Sequence, residues 1–175
     1  FKFDFPRNFI PEPIAKKYKP FLTRIPGGII KEPIDYWNYG IQSLNLPGPS
    51  FDAVTQVDYP GNQRAFRSSL PKQQLFDKTM TVTMQAFDGY VNYWMAVEMF
   101  DYYYKLSGKH PYLPEGVGVQ MLDADGTVFV TVQLKDMFIS EVGALDLNFS
   151  SNTIEFQTFD ITFGYNILDV VVNID

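Results

Sequence analysis

Cysteine is absent from this 175-residue chain, and histidine occurs once. Without cysteine there is no disulfide scaffold, no thiolate metal site and no cysteine nucleophile. The single histidine, His110, precedes Pro111 in a connector and reads as a surface residue rather than a general base. A Ser-His-Asp arrangement would have only that one base, and no serine stands in a nucleophile motif. Long apolar runs are also missing. None approaches the roughly 18 residues of a membrane helix, and no signal peptide is visible. The chain begins at Phe1, which leaves room for a missing initiating Met or short leader.

Basic residues are scarce beyond the first stretch. Residues 1–31 hold seven basic and two acidic side chains, residues 32–78 four and five, and residues 79–175 three and thirteen. The overall charge of -6 is therefore a basic arm on an acidic body. Such a split suggests head-to-tail self-association. It disfavours a body that grips nucleic acid, which needs clustered Lys and Arg.

Aromatic residues are abundant, at 17% with 16 Phe and 11 Tyr. One domain is expected, able to bury about 70% of its unfolded surface without covalent staples. The organising stretch is Leu75 to Leu106. Met80, Val82, Met84 and Ala86 alternate with Thr79, Thr81, Thr83 and Gln85, which predicts a strand with one dry and one wet face. Asp88 is a plausible N-cap for the apolar run that follows, and Gly108 a plausible stop. A helix is expected over about 88–107, of about five turns. Its polar stripe of Glu98, Asp101, Lys105 and Lys109 is narrow. The remainder is aromatic or apolar, as in a central core helix or one shared between its own sheet and a neighbouring subunit.

Residues 1–35 are expected to form a Pro-rich basic N-terminal arm, and 36–175 the β domain. Pro6, Pro11, Pro13, Pro20, Pro26 and Pro33 argue against long regular structure in the arm. Its Phe and Ile content predicts an extended segment packed on its own domain or on a partner. Tyr36 to Leu46 reads as a strand ended by Pro47-Gly48-Pro49, and Phe51 to Tyr59 as a second. Residues 61–74 read as a polar loop carrying Arg64, Arg67 and Lys72. Gly116 to Leu122 and Thr127 to Leu134 predict a hairpin through Asp123-Ala124-Asp125-Gly126. Lys135 to Glu141 reads as a corner with a short helical turn. Ala144 to Phe149 alternates, and Thr153 to Ile167 reads as a last strand with a bulge near Gln157-Thr158, where the apolar phase slips.

The fold class expected is mainly β: two packed antiparallel sheets or a β-barrel, about six to seven strands, with one flanking α-helix. No cofactor is expected. Asp123 and Asp125 lack the ligand count of a calcium loop. Gly27-Gly28 and Gly116-Val117-Gly118 do not make a phosphate cradle. The later carboxylates have no spacing that favours a glycosidase pair over a solvated acidic face.

An ordered set of motifs resembles the tube proteins of contractile-tail bacteriophages, over roughly residues 36–167. The segments are Ile41-Gln42-Ser43-Leu44-Asn45-Leu46-Pro47-Gly48, then Phe76 to Thr83 running into the helix, then Val142-Gly143-Ala144-Leu145-Asp146-Leu147-Asn148, and last Asn152 to Phe163. The basic arm and the long 60–74 segment depart from that pattern, as in a specialised member near the baseplate or the tail's end. The resemblance implies a structural protein and not an enzyme. It implies a homo-hexameric ring stacked into a tube inside a sheath, with sheath, baseplate and tail-terminator partners. DNA would pass non-specifically through the lumen, and no membrane is involved. The place implied is the virion tail, with the host cytoplasm during assembly. Lumen-facing candidates are Thr79, Thr81, Thr83, Asp146, Asn148, Glu155, Asp160 and Thr162. Subunit-interface candidates are Trp94, Met95, Phe100, Tyr102, Tyr103, Arg64 and Arg67. Two alternatives stand beside this reading: the tube of a type VI secretion or other contractile injection system, and a monomeric β-barrel holding a small ligand.

Overall fold

The computed structural model describes residues 1–22, 32–46, 48, 54–58, 62–66, 78–106, 112–113, 116–145 and 157–172, with 54–58 and 62–66 in backbone only. Among them are ten strands and three α-helices. In chain order they are β1 (Lys2–Phe3), α1 (Glu12–Leu22), α2 (Pro33–Tyr39), β2 (Ile41–Asn45), β3 (Val54–Asp58), β4 (Asn62–Phe66), β5 (Thr79–Gln85), α3 (Val91–Leu106), β6 (Val117–Leu122), β7 (Val128–Lys135), β8 (Phe138–Val142), β9 (Thr158–Gly164) and β10 (Ile167–Val172).

Two four-stranded antiparallel sheets dominate, in the orders β1-β6-β7-β10 and β2-β5-β9-β8; β3 and β4 pair separately. The expected pair of sheets is present. The sheets are not closed into a barrel, and the strands outnumber the six or seven expected. Three places account for the difference. Part of the 61–74 stretch is β4, registered on β3. The expected corner at Lys135 to Glu141 contains β8, because Asp136, at φ 52, and Met137 turn the chain in two residues. The single last strand divides at Tyr165-Asn166, where the chain leaves β9 in one sheet and enters β10 in the other.

Both sheets face one core. Met80, Val82 and Met84 of β5 and Phe159, Ile161 and Phe163 of β9 are buried with Val117, Val119, Val132, Leu134 and Leu168 of the other sheet. The alternation in 79–85 is seen directly in burial, odd positions outward and even positions inward. The expected bulge near Gln157-Thr158 falls at the edge of the described residues. Within them, register shifts occur at Ile41/Ser43, Met121/Leu122 and Ile139/Glu141.

The N-terminal arm contains the helix α1 where an extended segment is expected. Pro13 lies in the first turn of α1, where its missing amide costs little, and Pro20 lies in the last. Ile14, Tyr18 and Leu22 recur every four residues, and Ile14 and Leu22 are buried in the common core. Phe5 and Phe9 stack at 4.3 Å and pack against Trp37, while β1 pairs with β6. Phe3, Phe5, Phe9, Ile10, Ile14, Leu22 and Ile34 of the arm are thus buried in their own domain.

Tyr36 to Leu46 is likewise not one strand. Residues 33–39 form α2, fixed by Pro33 at the helix start and a reciprocal cap. The Glu32 carboxylate accepts the Asp35 amide, and Asp35 Oδ2 accepts the Glu32 amide at 3.1 Å. Helix α3 matches its expected span. Its first turn, Asp88–Tyr90, is 3-10 helix, and no side-chain cap closes it.

Candidate functional surface

Antiparallel registration decides which wet residues meet. Thr81 lies opposite Thr162, and Thr83 opposite Asp160. Directly opposed residues share a sheet face, so four of the proposed lumen residues form one patch. Thr79, opposite Gly164, extends it. Thr83 Oγ1 donates to Asp160 Oδ1 at 2.7 Å across the strands.

The neighbouring strands widen this face. Ser43 and Asn45 of β2 stand opposite Thr83 and Thr81, and Glu141 of β8 stands opposite Thr162. Sequence reasoning missed these three. The alternation of Ser43 and Asn45 was visible in the sequence, but Glu141 was hidden inside a supposed corner. Asp146, Asn148 and Glu155 lie outside the described residues, as does Arg67; Arg64 is in β4, opposite Gln56.

The resulting wall carries hydroxyls, one amide and two carboxylates, Glu141 and Asp160, with no cation among these residues. Chemically it solvates and repels anions. Its one close pair joins a hydroxyl to a carboxylate, with no imidazole or amine to move a proton. No group of three or more metal-ligating side chains occurs among the described residues.

Helix α3 supplies a second surface. It buries Val91, Asn92, Met95, Ala96 and Met99. Trp94 is 54% and Tyr104 72% exposed, and Tyr104 stacks on Phe100 at 6.4 Å. Met95 is fully buried, which removes it from any surface a neighbour could touch. Tyr102 is half-buried. Tyr103 is tied inward, its hydroxyl donating to the Phe9 carbonyl at 2.9 Å. Burial, with the neighbouring Tyr102 second, pushes the Tyr103 hydroxyl up to about 12.

Two further contacts fix α3. Asn92, fully buried, accepts the Phe87 amide at 3.2 Å and donates to the Gln85 carbonyl, clasping the end of β5 to the helix. Glu98 accepts from Lys17 Nζ and Tyr18 Oη, joining α1 to α3. Burial, then the Glu98 contact, raises the Tyr18 pKa.

The arrangement of strands and helix is shared with solved proteins. An extracellular contractile injection system, the PVC sheath/tube terminator in the extended state, aligns at TM-score 0.50 and 15% identity, over 75% of this chain and 85% of that one. The fold is that of the contractile-system tube proteins. Similar too are the PVC sheath-tube complex in the extended state (TM-score 0.49, 15% identity, 76% and 81% covered) and the anti-feeding prophage tube-terminating cap (0.48, 14%, 76% and 80%). No family model matches the sequence, and no curated protein matches it.

Proposed function

We propose that the chain is a non-enzymatic structural subunit of a contractile tail-like particle, joining copies of itself into a ring of the inner tube or its terminator. The observation that carries this is the fold shared with the tube terminator over 85% of that protein's length. The open sheets support it. Strand edges left unpaired invite pairing with another chain, and a closed ring removes them. Exposed Trp94 and Tyr104 are residue types that interfaces favour.

In this reading six copies close the ring, the face of Thr79, Thr81, Thr83, Asp160 and Thr162 lines the channel, and sheath and baseplate proteins pack outside. Fixed cations bind phosphate through counterion release, so a wall without them lets genomic DNA slide past. A second reading is favoured by the likeness to an injection system: the same wall passes a protein effector.

The test is negative-stain microscopy and sedimentation of the purified chain across a wide concentration range. Rings with an axial hole, or tubes, are expected. A 20.1 kDa monomer at every concentration would overturn the proposal. The two cargoes separate when Asp160→Lys particles are loaded. DNA delivery slows if nucleic acid is the cargo, while effector delivery does not depend on that charge in the same way.

A further inference from the structure

The structure carries an acidic turn at one end of a sheet and, apart from it, a cleft with basic side chains in excess. At one end is the turn of the β6–β7 hairpin. Asp123 Oδ1 accepts the amides of Asp125 and Thr127, both at 2.9 Å, and Gly126 takes φ 84 to close the turn. The Asp125 carboxylate is exposed, with no partner among the described residues. Behind it stand exposed apolar shoulders, Met121, Leu122 and Phe129. The projecting turn is an acidic tip on an apolar stem.

Apart from it is a surface cleft of about 200 Å³ where the first 3-10 turn, α1 and the start of α2 meet. Its rim carries Arg7, Lys16 and Lys19, and Ile10 and Ile34 contribute apolar lining. Lys16 is held by Glu12 at 2.7 Å, and the Glu32 carboxylate is occupied in capping α2. Arg7 and Lys19 have no ion pair among the described residues. Three basic side chains against the two carboxylates of Glu12 and Glu32 leave the cleft one positive charge in excess, carried where Arg7 and Lys19 are free to bind.

Sheet direction sets the relation between the two. Phe3 lies opposite Val119 and Lys2 opposite Gln120, antiparallel. The chain leaving Phe3 for Arg7 therefore runs away from Leu122 and the tip. The cleft and the tip share no lining residue, and a second copy of the chain can present its tip to the cleft.

We infer that the Asp123–Asp125 tip of one copy docks in the Arg7/Lys19 cleft of the next, a head-to-tail contact between copies of this chain. It rests on the self-assembly proposed above and names the contact. Such a contact is heterologous, so it repeats without limit along a stack or closes round a ring. Each pair of exposed charges contributes little alone, but repetition makes the assembly salt-sensitive.

Charge reversal tests it. One variant carries Arg7→Glu with Lys19→Glu, the other Asp125→Lys; all three side chains are on the surface and Asp123, which holds the turn, is kept. Thermal melts by circular dichroism confirm that both fold. Each variant alone sets like charges against each other and is expected to need about tenfold more protein to assemble, read by sedimentation. Mixed in equal amounts, each tip meets a cleft of opposite sign in the other variant, and assembly is expected to return toward that of the unmodified chain. If the variants assemble as the unmodified chain does, or if mixing restores nothing, the inference fails while ring formation stands. If the unmodified chain never assembles, both fall.

Discussion

Asn92 shows how one side chain can hold an element boundary. It is buried and spends both ends of its amide on the backbone between Gln85 and Phe87. Asn92→Ala would leave a buried amide and carbonyl unpaired, at a cost of about 1–3 kcal/mol. Urea unfolding of the variant measures it, and a midpoint unchanged from the parent would mean that water replaces the clasp. Tyr103 gives a pH dependence. Its hydroxyl titrates near 10 in the unfolded chain and about 12 in the fold, so the folded state holds the proton longer. The stability it contributes is complete below about pH 10 and is lost as pH rises toward the folded value. Tyr103→Phe is expected to flatten the alkaline limb of a stability-against-pH curve between those limits.

At the scale of elements, α3 separates core from surface within adjacent residues. Met95→Ala should cost about 2–5 kcal/mol, as deletion of a buried side chain does. Trp94→Asp, one position earlier, should change monomer stability by no more than about 0.5 kcal/mol and still abolish assembly. Denaturation paired with sedimentation distinguishes the two. Unfolding of Trp94→Asp would place that ring in the core after all. Gly116 marks a different limit: an added Cβ would lie 2.5 Å from the Leu134 carbonyl oxygen, so Gly116→Ala should force β6 from β7 at about 1–3 kcal/mol. These strands and α3 were legible because their signals are periodic and local. Met80, Val82 and Met84 declare a period of two, and Asp125-Gly126 declares a turn. Helices α1 and α2 were not. Proline density argues against long regular structure, whereas Pro13 and Pro33 sit at helix starts, where proline is tolerated, and an acidic pair in place of the usual Ser or Thr hides the cap of α2.

For the molecule as a whole, the charge division in the sequence has a spatial meaning that no local pattern states. Arg7 and Lys19 come together in one cleft, while Asp123 and Asp125 share the turn of the β6–β7 hairpin. The polar wall was half legible. Thr79, Thr81 and Thr83 announce a wet strand, but only register shows that Asp160, Thr162, Ser43, Asn45 and Glu141 stand beside them. Register depends on contacts far apart in sequence, which is why it stayed hidden. If this wall lines a channel, replacing Thr81 and Thr162 together by Lys should leave rings visible by microscopy while making them retain added DNA in a filter-binding assay. Rings that retain none would place the face elsewhere.

Two of the chain's passages between its sheets are only two residues long, from β7 to β8 through Asp136 and Met137 and from β9 to β10 through Tyr165 and Asn166. The Asn166 amide is tied to the Lys135 carbonyl at 3.3 Å, so the two crossings lie side by side. They form a tight covalent spine along one margin, while the opposite margins are joined by the longer passages through α1 and α2 and through α3. A load that pulls the sheets apart meets two-residue links on one side and whole helices on the other. It would open like a book, pages first and binding last.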